Sequence, residues 1–420
     1  MFGTNIISRR NLKNFGLLGS LCVSQSMPFW FLYQALPVLL RQQGTSLTII
    51  GLLHLATTPF IFKFLWSPAI DRYSFARWGH YRFWIVFFQL WVVSITIVCS
   101  LLDLKSQLPW LLLGLLLLGT GSASQDIATD ALALRLLEPP ERGIGNAIQG
   151  VGGSLGKMIG GGGMLILLNR WGWTPSLLTL AVIMMFALLP VLVYREPHRK
   201  IVSSASKSNS IGLLEYFKIF LRFCQQPGMT IWLIILALCG AAHRLSATVF
   251  QLLLVDIGLS LSDVGSLLGI FGQSMMMLGT IISGLLIPVW GRKRSLVIAS
   301  SFSLTGILSY FLPTFGYTYL PVIYAIVSIT FFSIGMVMTT SFTIIMDKSR
   351  LEMAGTDYTL QSSLIGIGGI VSATLSGFLA DTIGYRGVFA TSVLLLVVYL
   401  RLVVKKFAPV KFERLDINQK

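Results

Sequence analysis

Apolar runs of roughly 20 residues, the length that crosses a bilayer as a helix, recur along the whole chain and are separated by short polar turns. Twelve such spans can be drawn, at about 15–40, 47–70, 81–102, 109–134, 143–168, 174–193, 229–255, 262–289, 295–314, 317–346, 354–381 and 386–404. The pattern predicts an all-α polytopic membrane protein of two six-helix bundles, residues 1–194 and 229–420. A polar loop at 195–210 joins them, followed by a surface-lying helix at 211–228. A β-barrel would read as short alternating segments, which the chain lacks. The apolar run after the first residues is too long for a signal peptide and has no clear cleavage site, so it reads as a retained first span.

Composition agrees. Of 420 residues, 54% are hydrophobic and 11% charged, against about 25% charged in soluble domains; the mean hydropathy is +0.77. The net charge of +16 does not imply nucleic acid. With the N-terminus inside, Arg9, Arg10, Arg72, Arg82, Arg135, Arg142, Arg292 and most other bases fall on one face. That excess predicts both termini in the cytoplasm and contact with anionic lipid. The four cysteines are scattered without a C-x-x-C pair, which argues against disulfide or metal roles. No metal or cofactor is expected, and a monomer is.

The chain repeats itself at an offset of 212: Arg142–Trp173 aligns without a gap on Ala354–Tyr385, matching Gly143 to Gly355, Gln149 to Gln361, Gly156 to Gly368 and Gly172 to Gly384. Span five thus corresponds to span eleven, as in two six-helix halves related by an axis along the membrane normal. The turns after spans two and eight correspond as well. SPAIDRYSFARWGHYRFW (67–84) and IPVWGRKRSLV (287–297) each carry Pro, Gly and basic residues.

Ionisable groups inside the spans are expensive and mark function. Asp126 and Asp130 are spaced to share one face of span four. Lys157, on span five, falls at the depth of Asp126, which makes an ion pair plausible, either as a coupling cluster or as a structural lock. Lys63 on span two either neutralises Asp130 or snorkels to the inner interface. Mid-span His243 and Arg244 are further candidates, the histidine for proton transfer and the arginine for an anionic substrate. Trp30, Tyr33 and Gln34 on span one offer stacking faces and an amide to a bulky ligand. Gln125, Gln149, Gln273 and Gln361 read as interhelical hydrogen-bonding groups, and His54 as a structural one. The run Gly150–Gly163 has no phosphate-loop Lys-Ser/Thr; its small residues permit close, shifting helix contacts.

The two turns resemble the loop motif G-x-x-x-D-R-x-G-R-R/K of the major facilitator superfamily. The first keeps Asp71, Arg72, Gly79 and Arg82; the second keeps Gly284, Gly291, Arg292, Lys293 and Arg294 but lacks the Asp. The resemblance implies that spans one, four, seven and ten line a central cavity, which places Arg244 in it, and that spans five and eleven meet at the interface of the halves, where the glycine run would be a sliding surface. It also implies a gating latch at the inner face of Asp71, Arg72, Arg82 and Arg135 with the start of span eleven at Gly355. FKFLWSPAIDRY (62–73) and ASQDIATDALALRLLEPPERGIGNAIQ (123–149) are similar to the peptidoglycan-precursor/acetyl-CoA transporter branch, most of all to its pyochelin and rhizobactin siderophore permeases and next to muropeptide permeases. This implies an importer of a siderophore, in its ferric or desferri form, a small-molecule substrate, across a bacterial inner membrane, and the acids Asp126 and Asp130 make proton coupling the expected drive. Import of a cell-wall fragment and efflux are the alternatives. The chain has no Walker motif, so ATP is not expected to drive it directly, and no H-E-x-x-H and no nucleophile–base set point to an enzyme.

Overall fold

The computed structural model describes residues 9–42, 58–73, 79–103, 106–196 and 221–407. His54, most of the central loop and surface helix, and both termini lie outside the described residues. Arg72, Arg82, Arg135, Arg142 and Arg292 lie at span ends on one side of the bundle, called the basic end below.

Ten helices among the described residues are long and apolar enough to cross a membrane. The last, Ala354–Lys406, holds spans eleven and twelve, which part at Gly384 (φ 68°). The end of span two is seen as Pro59–Phe62, a tighter turn at Lys63–Leu65, and Ser67–Arg72. The remaining spans are Arg9–Gln42 (one), His80–Ser100 (three), Leu108–Leu136 (four), Arg142–Trp171 (five), Trp173–Val193 (six), Met229–Asp256 (seven), Leu261–Trp290 (eight), Arg292–Thr314 (nine) and Leu320–Lys348 (ten). Spans one, five and eight each contain a π-helical turn, at Phe31–Ala35, Met158–Gly163 and Gly265–Phe271. An inserted residue of this kind re-aims the side chains that follow.

The repeat is visible in the backbone. Gly172 (φ 77°, ψ −170°) separates spans five and six, and Gly384 (φ 68°, ψ 173°) separates eleven and twelve. Gly79 (φ 88°, ψ 162°) precedes span three, and Gly291 (φ 78°, ψ 160°) precedes span nine. Both pairs are 212 residues apart, and all four sit in a region that only glycine enters freely.

The glycines of span five serve two faces. Gly152, Gly156 and Gly160 turn to span one of their own half, where a Cβ would meet the carbonyl oxygens of Gly19, Val23 and Met27 at 2.8, 2.6 and 2.1 Å. Gly368, the partner of Gly156, packs likewise on the carbonyl of Ala237 in span seven, at 2.2 Å. The run is therefore mainly a lock within each half. Only Gly143 and Gly150 face the other half, against Gly284 and Thr280 of span eight. The expectation of one sliding surface between halves is corrected accordingly: four-residue spacing puts 152, 156 and 160 on one stripe and leaves 143 and 150 on another.

Candidate functional site

At the basic end, Asp71 closes span two with a buried carboxylate. It accepts hydrogen bonds from the backbone N–H groups of Gly355 (2.9 Å) and Thr356 (2.7 Å), from the Thr356 hydroxyl (2.7 Å) and from the Tyr81 hydroxyl (2.7 Å). An anion at the first N–H groups of a helix is favoured by the unpaired donors and the helix dipole. Gly355 is needed there, because a Cβ would meet Asp71 Oδ1 at 2.8 Å. Arg135 stacks over the Tyr81 ring at 4.4 Å and stands 4.0 Å from Glu196. Arg82 donates to the carbonyls of Val191 (3.1 Å) and Leu192 (2.7 Å) at the end of span six. Arg72 lies over Tyr73 at 5.9 Å. Among these contacts only those of Asp71 with Gly355 and Thr356 join the halves; those of Arg82 and Arg135 tie the first half to itself.

The other tie is one the sequence reading missed. Asp347, at the basic end of span ten, receives Arg142 of span five (2.9 Å) and Arg292 (2.7 Å). Arg292 also bonds the carbonyl of Pro139 in the first half. The repeat held a signal for it: the second turn lacks an Asp, and its arginines need an acid from elsewhere.

Deeper in the bundle the acids and bases pair differently from their depths alone. Asp126 is paired with Lys63 of span two and also accepts from Gln25 of span one at 2.9 Å. Lys63 is buried, not snorkelled. Asp130, buried one turn on, has Asp126 and Lys63 as its charged neighbours. Lys157 pairs with neither acid; its ammonium lies 4.1 Å from the centre of the Trp30 ring. Rise per residue fixes height but not azimuth, and Asp126 faces spans one and two while Lys157 faces the aromatic part of span one.

That aromatic part joins the halves. Trp30 meets Tyr33 edge-on with ring centres 5.5 Å apart, and Phe29 stacks on Tyr33 at 5.8 Å. The Tyr33 hydroxyl accepts a hydrogen bond of 2.8 Å from Arg244 Nη2 of span seven. Arg244 is exposed although it lies mid-span, so its head faces the gap between the halves. It is also the charged neighbour of Lys157. Lys157, Trp30, Tyr33 and Arg244 thus form one array across both halves, with Gln34 beside it against Gly161. His243 points the other way. Nδ1 bonds the Cys239 carbonyl and Nε2 the Ser303 hydroxyl, both at 2.7 Å, so the ring is bound within its own half. Gln361 accepts from Trp232 Nε1 at 2.8 Å, and Gln125 bonds Gln89.

A bundle of paired six-helix halves, joined at one end by ion pairs and capped helices and holding an exposed cation between them, defines a membrane transporter. The family model for the Major Facilitator Superfamily matches residues 18–373, and the chain belongs to that superfamily. It is similar to the anhydromuropeptide permease of Escherichia coli strain K12, 26% identical over 84% of this chain and 71% of that one. It is also similar to a putative AmpG transporter of Rickettsia typhi, 23% identical over 92% and 95%. Two solved structures share the fold. The human organic anion transporter MFSD10 has a TM-score of 0.73 at 17% identity, covering 94% and 99% of the two chains. A bacterial homologue of the iron transporter ferroportin has 0.69 at 14%, covering 94% and 98%. The protein is a transporter and not an enzyme. The relatives favour muropeptide permeases, the second resemblance in the sequence, over siderophore permeases; neither siderophore transport nor iron uptake is supported by them.

Proposed function

We propose that the chain imports a carboxylated cell-wall fragment of the anhydromuropeptide class across a bacterial inner membrane, coupled to protons, with the basic end in the cytoplasm. The observation that carries this reading is the array Lys157–Trp30–Tyr33–Arg244. Two cations flank two aromatic rings. A peptide carboxylate suits the planar guanidinium of Arg244 and the point charge of Lys157. A sugar presents its C–H face to Trp30 and Tyr33, whose amphipathic rings suit a ligand that is part apolar and part wet. Tyr33 holds Arg244 with a neutral hydroxyl, which a carboxylate outcompetes because charge-assisted hydrogen bonds are stronger. Asp126 and Asp130 carry the coupling proton. Asp71 and Asp347 close the cytoplasmic end while substrate enters from the other side, and both ties break when the halves rock.

The test is uptake of radiolabelled anhydromuropeptide into cells with and without the gene, with and without an uncoupler. Gene-dependent, uncoupler-sensitive uptake is expected. Uptake of a labelled ferric siderophore instead would transfer the reading to iron acquisition, and export of a preloaded label would reverse its direction.

A further inference from the structure

The ion pair at Asp126 and the latch at Asp71 belong to one short piece of span two. Its helix gives way at Lys63–Leu65 to a tighter turn and restarts at Ser67–Arg72. Phe62 and Trp66, on either side, have ψ of 1° and −1°, away from the helical value near −42°. Lys63 is therefore at a joint, and Asp71 closes the segment that follows, about 12 Å on at the helical rise. Trp66 steadies that segment by donating to Ser124 of span four at 3.0 Å.

Lys63 has two carboxylates to choose between. Asp126 holds it, and Asp130 acts on it from one turn nearer the basic end, a step of about 5.4 Å. The other groups facing the acids are Gln25 and Cys22 from span one and Tyr358 from span eleven. None of the three is a cation, so Lys63 is the base that both acids share among the described residues. Tyr358 stands one turn beyond Gly355 and Thr356, the two residues that Asp71 caps. The proton site and the latch thus border the same turns of span eleven.

We propose that Lys63 is a positioning residue that links protonation to the cytoplasmic latch: a proton arriving on Asp126 releases the Lys63 ammonium to Asp130, and the movement at the joint draws Asp71 off the start of span eleven. Lys63 stays protonated throughout. The proton leaves Asp126 to the cytoplasm once the latch is open, and Lys63 returns. The inference rests on the proton-coupled import proposed above.

Two measurements test it. Spin labels at Tyr73→Cys and Glu352→Cys, both exposed on opposite halves at the basic end, are placed in a Cys224→Ser background and reconstituted in nanodiscs. Acidification is expected to lengthen the wild-type distance, Lys63→Gln to fix it at one value, and Lys63→Arg to restore the response. In proteoliposomes Lys63→Gln is expected to lose accumulation, about tenfold per unit of pH gradient for one coupled proton, while substrate exchange at equal concentrations persists. A pH response or accumulation retained by Lys63→Gln overturns the inference, and so does loss of exchange together with accumulation, which marks a merely structural residue. Wild-type uptake that ignores an uncoupler instead removes the proton-coupled reading itself.

Discussion

His243 and Arg244 are adjacent in sequence and part company in space. The histidine is spent on Cys239 and Ser303, while the arginine crosses the gap to Tyr33. Both were legible as mid-span ionisable groups and the resemblance put Arg244 in the cavity, but that His243 turns away from it was not legible, because a helix with apolar residues all round gives no azimuth. The same limit separated Lys157 from Asp126. Arg244→Gln should raise the half-saturating substrate concentration by about tenfold to a hundredfold, corresponding to ~1.5–3 kcal/mol for hydrogen bonds to a charged group, with Tyr33→Phe far milder. Initial rates against substrate concentration check both. His243→Ala strands the Ser303 hydroxyl and should cost roughly 1–3 kcal/mol of stability while leaving uncoupler-sensitive uptake in the folded fraction, read by thermal unfolding in detergent and by uptake per folded molecule.

Helix contacts were more legible than side-chain partners. The 212-residue repeat predicted which glycines correspond, and Gly156 and Gly368 do pack on the equivalent spans one and seven. It did not predict that these contacts lie within a half, since a small residue announces a close neighbour without naming it. The π-helical turns of spans one, five and eight left no mark in the hydrophobic pattern. Two neighbouring glycines separate packing from mere composition. A Cβ on Gly160 would fall 2.1 Å from the Met27 carbonyl oxygen, while one on Gly162 has nothing within 4 Å. Gly160→Ala should therefore yield little folded protein. Gly162→Ala should be neutral or stabilising by up to ~1 kcal/mol, the helix-propensity difference. Size-exclusion profiles and melting temperatures of the two variants decide it.

Across the whole molecule, the two ends of span five's neighbourhood do different work. The basic end is shut by Asp71 on span eleven and by Asp347 between Arg142 and Arg292, and the array at Arg244 spans the halves farther in. The loop motif made the first tie readable in the sequence; for the second, the missing Asp of the second turn signalled only that an acid was needed, because the acid itself lies in span ten, far from the motif. Asp347→Ala removes the carboxylate that Arg142 and Arg292 share at a buried site, which costs about 3–5 kcal/mol for a broken buried pair, so the basic end should open. Cysteine accessibility at the basic end measures that opening. The central claim is that the gap between the halves takes a carboxylated muropeptide through Arg244 and Lys157. Its most direct measurement is binding of labelled anhydromuropeptide to the purified transporter by scintillation proximity. Saturable binding to the wild type, lost in Arg244→Gln/Lys157→Gln and competed by unlabelled peptide-bearing fragment but not by a ferric siderophore, is the result this account predicts. Undiminished binding to the double variant would contradict it.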